Sequence, residues 1–348
     1  MPRAGKGAGM KRFASVDALR GIAVAAMIVV NTPGDWSHVY APLLHSEWDG
    51  FTPTDLVFPL FLLIVGVSIA LAPPAGSRAI LARALRIVAL GLVLNALAFW
   101  LLDRPALRPW GVLQRIGICY GAAALIAAST KQRTQWMVIT ALLTGYWAVM
   151  ALGGPFTREA NLASRVDTAL LGRLLYEYDP ATGRGHDPEG LLSTFPAIAT
   201  TLLGVRAGEW LRAGDLRRLF IGALVALAIG GAWSPAFPLN KNLWTSSFVL
   251  WAGGWSLLLL AALHVAIDRE GMPAIGRRFG INAIAIYAGA WVVECAGAAT
   301  GVNPRIAAAI SRAISDPYAA SLTYALVFAL SWWLVALALD RRGVRLRI

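Results

Sequence analysis

Residues 55–72 read DLVFPLFLLIVGVSIALA, a run of apolar residues in which Asp55 is the one charged side chain. An α-helix needs about 20 mostly apolar residues to cross the hydrocarbon core of a bilayer. Only helices and closed barrels satisfy every backbone polar group there, and barrel strands alternate apolar with polar residues. This continuous run therefore predicts a membrane-spanning helix.

The same pattern recurs along the whole chain. Apolar blocks cover residues 18–32, 55–72, 83–102, 112–129, 136–152, 190–207, 217–233, 245–267, 280–298 and 319–339. The composition agrees, since 14% of residues are charged against about 25% in soluble domains. The first block has no cleavage site and reads as a retained helix. The sequence predicts an all-α polytopic bundle of about ten transmembrane helices, forming one domain over residues 1–348.

The basic residues sit in short clusters between apolar blocks, although the formal net charge is +12. This distribution argues against nucleic-acid binding, which needs a basic soluble face, and indicates membrane topology. The basic tail of residues 1–12 and every second loop hold most of the 31 Lys and Arg. Both ends are therefore predicted to be cytoplasmic. Residues 32–54 and 153–189 become long non-cytoplasmic loops of a multi-pass protein, expected in a bacterial inner membrane.

The first long outside loop contains no Lys or Arg, but it holds His45 shortly before Asp49 and Asp55. An imidazole titrates near neutrality and can act as a base, an acid or a nucleophile. A neighbouring carboxylate would fix its tautomer. The alternative is an exposed loop histidine without a role. His38 and His186 have weaker claims, and His264 reads as structural.

Several polar residues lie at or inside predicted helices, where charge is costly and often functional. Asp17 and Arg20 share one helical face as a local ion pair or a phosphate site, and Glu294 needs a partner or a cavity. Cys119 and Cys295 read as small core residues. We find no metal-ligand spacing and no credible nucleotide-binding loop. Chemistry alone leaves a transporter or a membrane enzyme with an external histidine.

Six motifs follow one another in order along the chain. They are SVDALRG (15–21), HSEWDG (45–50) leading into DLVFP (55–59), GVLQRIG (111–117), DPEG (187–190), LGVRAG (203–208) and NKNLW (240–244). Together they resemble the heparan-α-glucosaminide N-acetyltransferase family of transmembrane acyltransferases, over about residues 12–339. The resemblance implies transfer of acetyl from cytoplasmic acetyl-CoA to the amino group of a glucosamine on the far side. It also implies that His45 is the active histidine and that Asn31, at the end of the preceding helix, belongs to the site.

On this reading, Asp55 or Asp49 orients His45, and Asn31 donates to the thioester oxygen. Either His45 accepts the proton of the amine, giving direct transfer, or it carries the acetyl group itself. The remaining candidates divide by ligand. Coenzyme A is assigned Asp17, Arg20, Arg86, Gln114, Arg115 and Arg206, and the sugar is assigned Trp48, Asp49, Asp187, Glu189, Asn240, Lys241 and Asn242.

Acetyl-CoA is thus the expected co-substrate, with no metal. The expected partners are an amino-sugar acceptor and the lipid bilayer, and a homodimer is a candidate assembly. A secondary transporter of an amino sugar or its oligomers remains the second hypothesis, and an acyltransferase acting on envelope polysaccharide is the third.

Overall fold

A computed structural model describes residues 12–346, so the predicted basic tail lies outside the described residues except for Arg12. Ten long helices within that range each overlap one of the ten apolar blocks. They are α1 (Ala14–Asn31), α2 (Val57–Leu71), α3 (Ser77–Leu101), α4 (Val112–Ser129), α5 (Gln132–Leu152), α7 (Thr194–Arg212), α8 (Leu216–Trp233), α9 (Ser246–Leu263), α11 (Ala283–Ala299) and α13 (Pro317–Arg341). The chain is an all-α polytopic membrane protein, as the sequence predicted.

Not every long helix is equally suited to the bilayer. Within residues 12–346, eight helices are long and apolar enough to span a membrane alone. Helix α11 qualifies together with α12 (Val302–Ala313), from which it is bent by 83°. Helix α7 is less apolar because it carries Arg206 and Glu209, but most of its residues are buried among other helices. Its crossing of the membrane stays a prediction.

Interhelical contacts define two opposite ends of the bundle. At one end, which we call the basic face, Arg212 donates to the carbonyl of Ala70 at 3.1 Å. Asp268 accepts from the backbone nitrogen of Ala14 at 2.9 Å at the same face. This face joins the segments that were predicted to be cytoplasmic. At the other end, the loop face, the backbone nitrogen of Gly34 donates to the carbonyl of Ser321 at 3.2 Å.

Short elements fill the stretches between the long helices. The predicted loop of residues 153–189 contains α6 (Leu162–Leu171) and an antiparallel hairpin of β1 (Glu177–Asp179) and β2 (Arg184–His186). Helix α10 (Arg277–Ile281) precedes α11. The loop of residues 153–189 is therefore a folded cap on the loop face.

Candidate active site

A cavity of about 510 Å³ opens at the loop face between α1, α2, α3, α4 and α11. Its walls hold six of the sequence-predicted site residues: Asn31, His45, Gln114, Glu189, Lys241 and Asn242. Apolar side chains form much of the remainder, including Met27 and Phe58. A mostly apolar cavity with a few converging polar groups is the usual form of a small-molecule site.

The position of His45 is fixed by the start of α2. Residues Pro53–Leu56 form a 3₁₀ turn, and Thr52 and Asp55 cap it reciprocally. The Asp55 carboxylate is fully buried and accepts from the backbone nitrogens of Thr52 at 2.9 Å and Ser46 at 3.2 Å. Its other oxygen lies 2.8 Å from Nδ1 of His45. The same carboxylate therefore closes the loop onto the helix and orients the imidazole.

This contact decides which nitrogen of His45 can do chemistry. An ionised carboxylate only accepts hydrogen bonds, so Nδ1 carries the proton and donates to Asp55. Nε2 then keeps its lone pair and can accept a proton. The His45 side chain is 44% exposed and lines the cavity. The geometry matches the carboxylate–imidazole pair of general-base catalysis.

Lys241 reaches the same imidazole from the segment before α9. Its Nζ lies 3.0 Å from Nε2 and 3.2 Å from Nδ1 of His45. Buried Asn240 fixes this segment by donating to Asp49 at 3.0 Å and accepting from the backbone nitrogen of Leu243 at 2.8 Å. Burial lowers the pKa of Lys241, which the charges of Glu189 and Asp55 oppose only in part.

An ion cluster holds Glu189 against the cavity. Arg108 donates to both oxygens of buried Asp187 and, at 2.6 Å, to Glu189. Burial alone would raise the pKa of Glu189, but the Arg108 charge, followed by that of Arg115, holds it below its usual value. Glu189 is therefore a carboxylate that faces the space in front of His45.

Four side-chain amides line the cavity: Asn31, Asn95, Gln114 and Asn242. Asn31 ends α1, and Gln114 lies in the first turn of α4. Gln114 is buried, and its Nε2 has no hydrogen-bond partner in the described part of the chain. A buried unpaired donor is costly, so this amide is suited to a carbonyl oxygen of a ligand.

Other predicted residues support the walls instead of lining the cavity. The indole of Trp48 donates to the carbonyl of Phe156 at 2.7 Å. Arg115 is fully buried, donates to the carbonyl of Gly190 at 3.1 Å and lies 5.1 Å above the Trp244 ring. Arg115 thus connects α4 to the segment that carries Glu189 and to the segment that carries Lys241.

The remaining cationic candidates for coenzyme A lie apart from His45. Arg20 donates to Asp17 at 3.0 Å and to Ser68 at 2.7 Å. Buried Arg206 pairs with Glu209. Arg86 lies on the exposed side of α3. None of these three arginines lines the cavity, and neither does Asp17. The structure therefore does not bring them together with His45.

The cap on the loop face contains two perturbed groups. Asp167 is buried and accepts from the backbone nitrogen of Leu191 at 2.9 Å, and burial raises its pKa to about 6. His186 lies 2.9 Å from the Ser164 hydroxyl, and burial lowers its pKa to about 4. His186 contacts Trp48, and neither group lines the cavity.

Sequence reasoning missed several residues of the cavity. Arg108 was treated only as a cation of the outside loops, and Asn95 only as a polar residue inside a predicted helix. Tyr287 and Trp291 were not considered. The role of Arg108 could have been suspected, because the other outside loops are rich in acidic residues that need a nearby positive charge. Tyr287 and Trp291 gave none, since aromatic residues in an apolar block are indistinguishable from core residues.

These features define a polytopic helical membrane protein with a carboxylate-oriented histidine in a cavity at one face. Residues 12–237 match the family model described as heparan-alpha-glucosaminide N-acetyltransferase, catalytic, and the chain belongs to this family. The match contains His45, Asp55, Arg108 and Glu189 and ends before Lys241.

Two curated relatives carry the name heparan-alpha-glucosaminide N-acetyltransferase. The human protein is 29% identical over 81% of this chain and 53% of its own length. The mouse protein is 28% identical over 81% of this chain and 54% of its own length. The chain therefore spans about half the length of the curated relatives it matches.

Proposed function

We propose that this protein is a transmembrane N-acetyltransferase that moves acetyl from acetyl-CoA to the amino group of a glucosamine-type sugar. The observation that carries the proposal is the buried Asp55 carboxylate 2.8 Å from Nδ1 of His45, at the wall of a 510 Å³ cavity. Family membership supports it, because the matched model and both relatives are named for this reaction.

The chemistry requires a base for the amine and donors for the thioester oxygen. In direct transfer the sugar nitrogen attacks the thioester carbon, Nε2 of His45 accepts a proton, and coenzyme A leaves as a thiolate. In the two-step route Nε2 attacks the thioester carbon and coenzyme A leaves as a thiolate. The amine then attacks the acetyl carbon, the bond to Nε2 breaks, and Nε2 takes up the proton of the amine. In both routes Asp55 stabilises the imidazolium or acylated ring. Asn31 and Gln114 supply amide N–H groups for the oxyanion.

The acceptor is proposed to enter from the loop face. Glu189 and Asn242 line the cavity near His45, and they suit an ammonium group and sugar hydroxyls. Trp48, Asp49, Asp187 and Asn240 are proposed to act on the sugar indirectly, because their contacts hold the cavity segments in position.

The donor is proposed to approach from the basic face, where cations would attract the phosphates of coenzyme A. Exposed Arg86 is the best suited to contact a phosphate. Arg20, Asp17, Arg206 and Arg115 are proposed to shape the donor path, since their charges are engaged within the bundle. We propose further that the loop face is periplasmic, in a bacterial inner membrane. A homodimer stays a prediction.

The test is acetyl transfer by the purified full chain to free glucosamine, its oligomers and an envelope polysaccharide. We expect labelled acetyl to appear as amide on at least one acceptor, and His45→Ala to lower the rate by about 10² or more. His38→Ala is the matched control, because His38 also pairs with an aspartate, at 2.7 Å from Asp35, but does not line this cavity. Unchanged activity in His45→Ala would overturn the role of that residue.

The same purified protein, reconstituted in sealed vesicles, distinguishes the proposed enzyme from a transporter. A transporter moves labelled glucosamine across the membrane without acetyl-CoA, whereas the proposed enzyme requires acetyl-CoA and forms product in detergent. Glu294, an acid inside a predicted helix that would fit a transporter, is not among the cavity-lining residues. Accumulation of unmodified sugar with no acetylated product would favour transport and overturn the proposal.

A further inference from the structure

The Lys241 amine lies beside the imidazole that the proposed reaction uses as a base. Its Nζ lies 3.0 Å from Nε2 and 3.2 Å from Nδ1 of His45, and Nε2 is the nitrogen that keeps its lone pair when Nδ1 donates to Asp55. A general base must lie within about 2.6–3.2 Å of the group whose proton it removes. Lys241 thus brings an amine within the reach of a general base at His45.

The arrangement is held by rigid surroundings. Asn240 is fully buried and bonded on both sides, to Asp49 at 3.0 Å and to Leu243 at 2.8 Å. Buried Trp244 donates to Thr200 at 3.0 Å, which attaches the segment to α7. The four-carbon stem of Lys241 therefore starts from a fixed backbone beside the histidine.

Burial of Lys241 also favours the neutral form of its amine. Burial lowers the pKa of Lys241, which increases the fraction of neutral, nucleophilic nitrogen. The chain has four lysines. Among the described residues the other one is Lys131, which is exposed at the start of α5 on the basic face.

We propose that Lys241 is a site of self-acetylation when acetyl-CoA is bound without an acceptor; this inference rests on the proposed function. The Nζ–H proton passes to Nε2 of His45, Nζ forms a bond to the thioester carbon, and the carbon–sulfur bond breaks. Coenzyme A leaves as the thiol after taking up the proton. The products are an amide on Lys241 and free coenzyme A, so no further reactant is needed.

Acetylation of Lys241 changes the cavity in two ways. The side chain loses its positive charge, which leaves Glu189 and Asp55 with one fewer neighbouring cation. The added acetyl group also fills the space beside Nε2 that an incoming amine needs. An acceptor in that space would exclude the reaction, so the acceptor protects the enzyme from its own donor.

The experiment incubates the full-length protein in detergent with isotopically labelled acetyl-CoA alone, followed by peptide mass spectrometry. Hydroxylamine treatment removes acetyl from histidine or thiols and leaves a lysine amide intact. We expect the label on Lys241 and little on Lys131, which reports uncatalysed chemical acetylation. His45→Ala should reduce labelling of Lys241 about 100-fold, the value of a lost general base. Lys241→Arg should keep the positive charge and abolish the stable label.

The protein could acetylate an acceptor and yet show no label on Lys241 when incubated with acetyl-CoA alone. That result would overturn the self-acetylation and leave the proposed function standing. Equal labelling of Lys241 and Lys131, or full labelling in His45→Ala, would also overturn it. Absence of acetyl transfer to every acceptor and to Lys241 would remove the proposed function itself. Added glucosamine should lower the labelling of Lys241 if acceptor and lysine share the position.

Discussion

The Asp55 carboxylate carries two functions at once. One oxygen accepts from the backbone nitrogens of Thr52 and Ser46, and the other accepts from Nδ1 of His45 at 2.8 Å. The first set of contacts shapes the loop, and the second selects the tautomer of the histidine. A substitution that keeps the shape and removes the charge separates the two.

We expect Asp55→Asn to lower kcat by about 10²–10⁴ while changing KM little. The backbone donors of Thr52 and Ser46 hold the amide oxygen, so the NH2 group faces Nδ1, favours the wrong tautomer and cannot stabilise an imidazolium. Asp35→Asn is the matched control, since Asp35 makes a similar 2.7 Å contact to His38 at an exposed position. Steady-state kinetics of both variants check the prediction, and thermal unfolding excludes global loss of fold. Comparable losses in both variants would contradict it.

Contacts of the site between residues close in the sequence were easier to predict than contacts between distant ones. His45 and Asp55 are ten positions apart, so one loop brings them together, and their association could be inferred from chemistry and spacing. Lys241 is separated from His45 by 196 positions, and its charge suggested only contact with sugar. This contact depends on how α9 packs against α2. The sequence does not predict that packing, because the lipid-facing and bundle-facing sides of an apolar helix have similar residues.

Among the elements, α2 and α7 are packed unusually closely. A Cβ on Gly66 would lie 1.9 Å from the carbonyl oxygen of Thr201, and one on Gly204 would lie 2.0 Å from that of Leu63. Small residues allow helix backbones to approach in membranes, where the hydrophobic effect does not drive helices together. This contact positions Thr200, which holds Trp244 beside the Lys241 segment.

Gly204→Ala should therefore destabilise the protein by about 1–3 kcal/mol, the usual cost of overpacking a tight contact. Gly145→Ala is the control, because a Cβ there meets nothing within 4 Å and alanine favours the helix by up to about 1 kcal/mol. Thermal unfolding in detergent should give a lower Tm for the first variant and an equal or higher Tm for the second. Equal Tm values would show that the two helices can separate without cost.

Most of the long helices were predictable because a spanning helix must be largely apolar along its length; α7, with Arg206 and Glu209, is the exception. The shorter elements were not. Helix α12 lies in a stretch of mixed polarity that was counted as a loop. Gly301 directly precedes it, and its φ of +71° interrupts the path of α11. Helix α6 depends on contacts with the β-hairpin and Leu191 that only the folded cap provides.

At the scale of the whole molecule, charge is distributed unequally between the two ends of the bundle. Most of the described arginines adjoin the basic face, and the site with His45 opens at the loop face. The bias of Lys and Arg toward cytoplasmic loops predicts that the basic face is cytoplasmic. Transfer across the membrane then requires donor and acceptor on opposite sides, which makes orientation the decisive property of the molecule.

Orientation can be measured with single cysteines, because both native cysteines, Cys119 and Cys295, are buried. Ser37→Cys introduces an exposed thiol on the loop face, and Thr134→Cys introduces one at the start of α5 on the basic face. We expect a membrane-impermeant maleimide to label Ser37→Cys in intact cells and Thr134→Cys only after permeabilisation. The unsubstituted protein measures background labelling. The reverse pattern would place His45 on the cytoplasmic side, where donor and acceptor share one compartment, and would overturn transfer across the membrane without affecting the roles of His45 and Asp55.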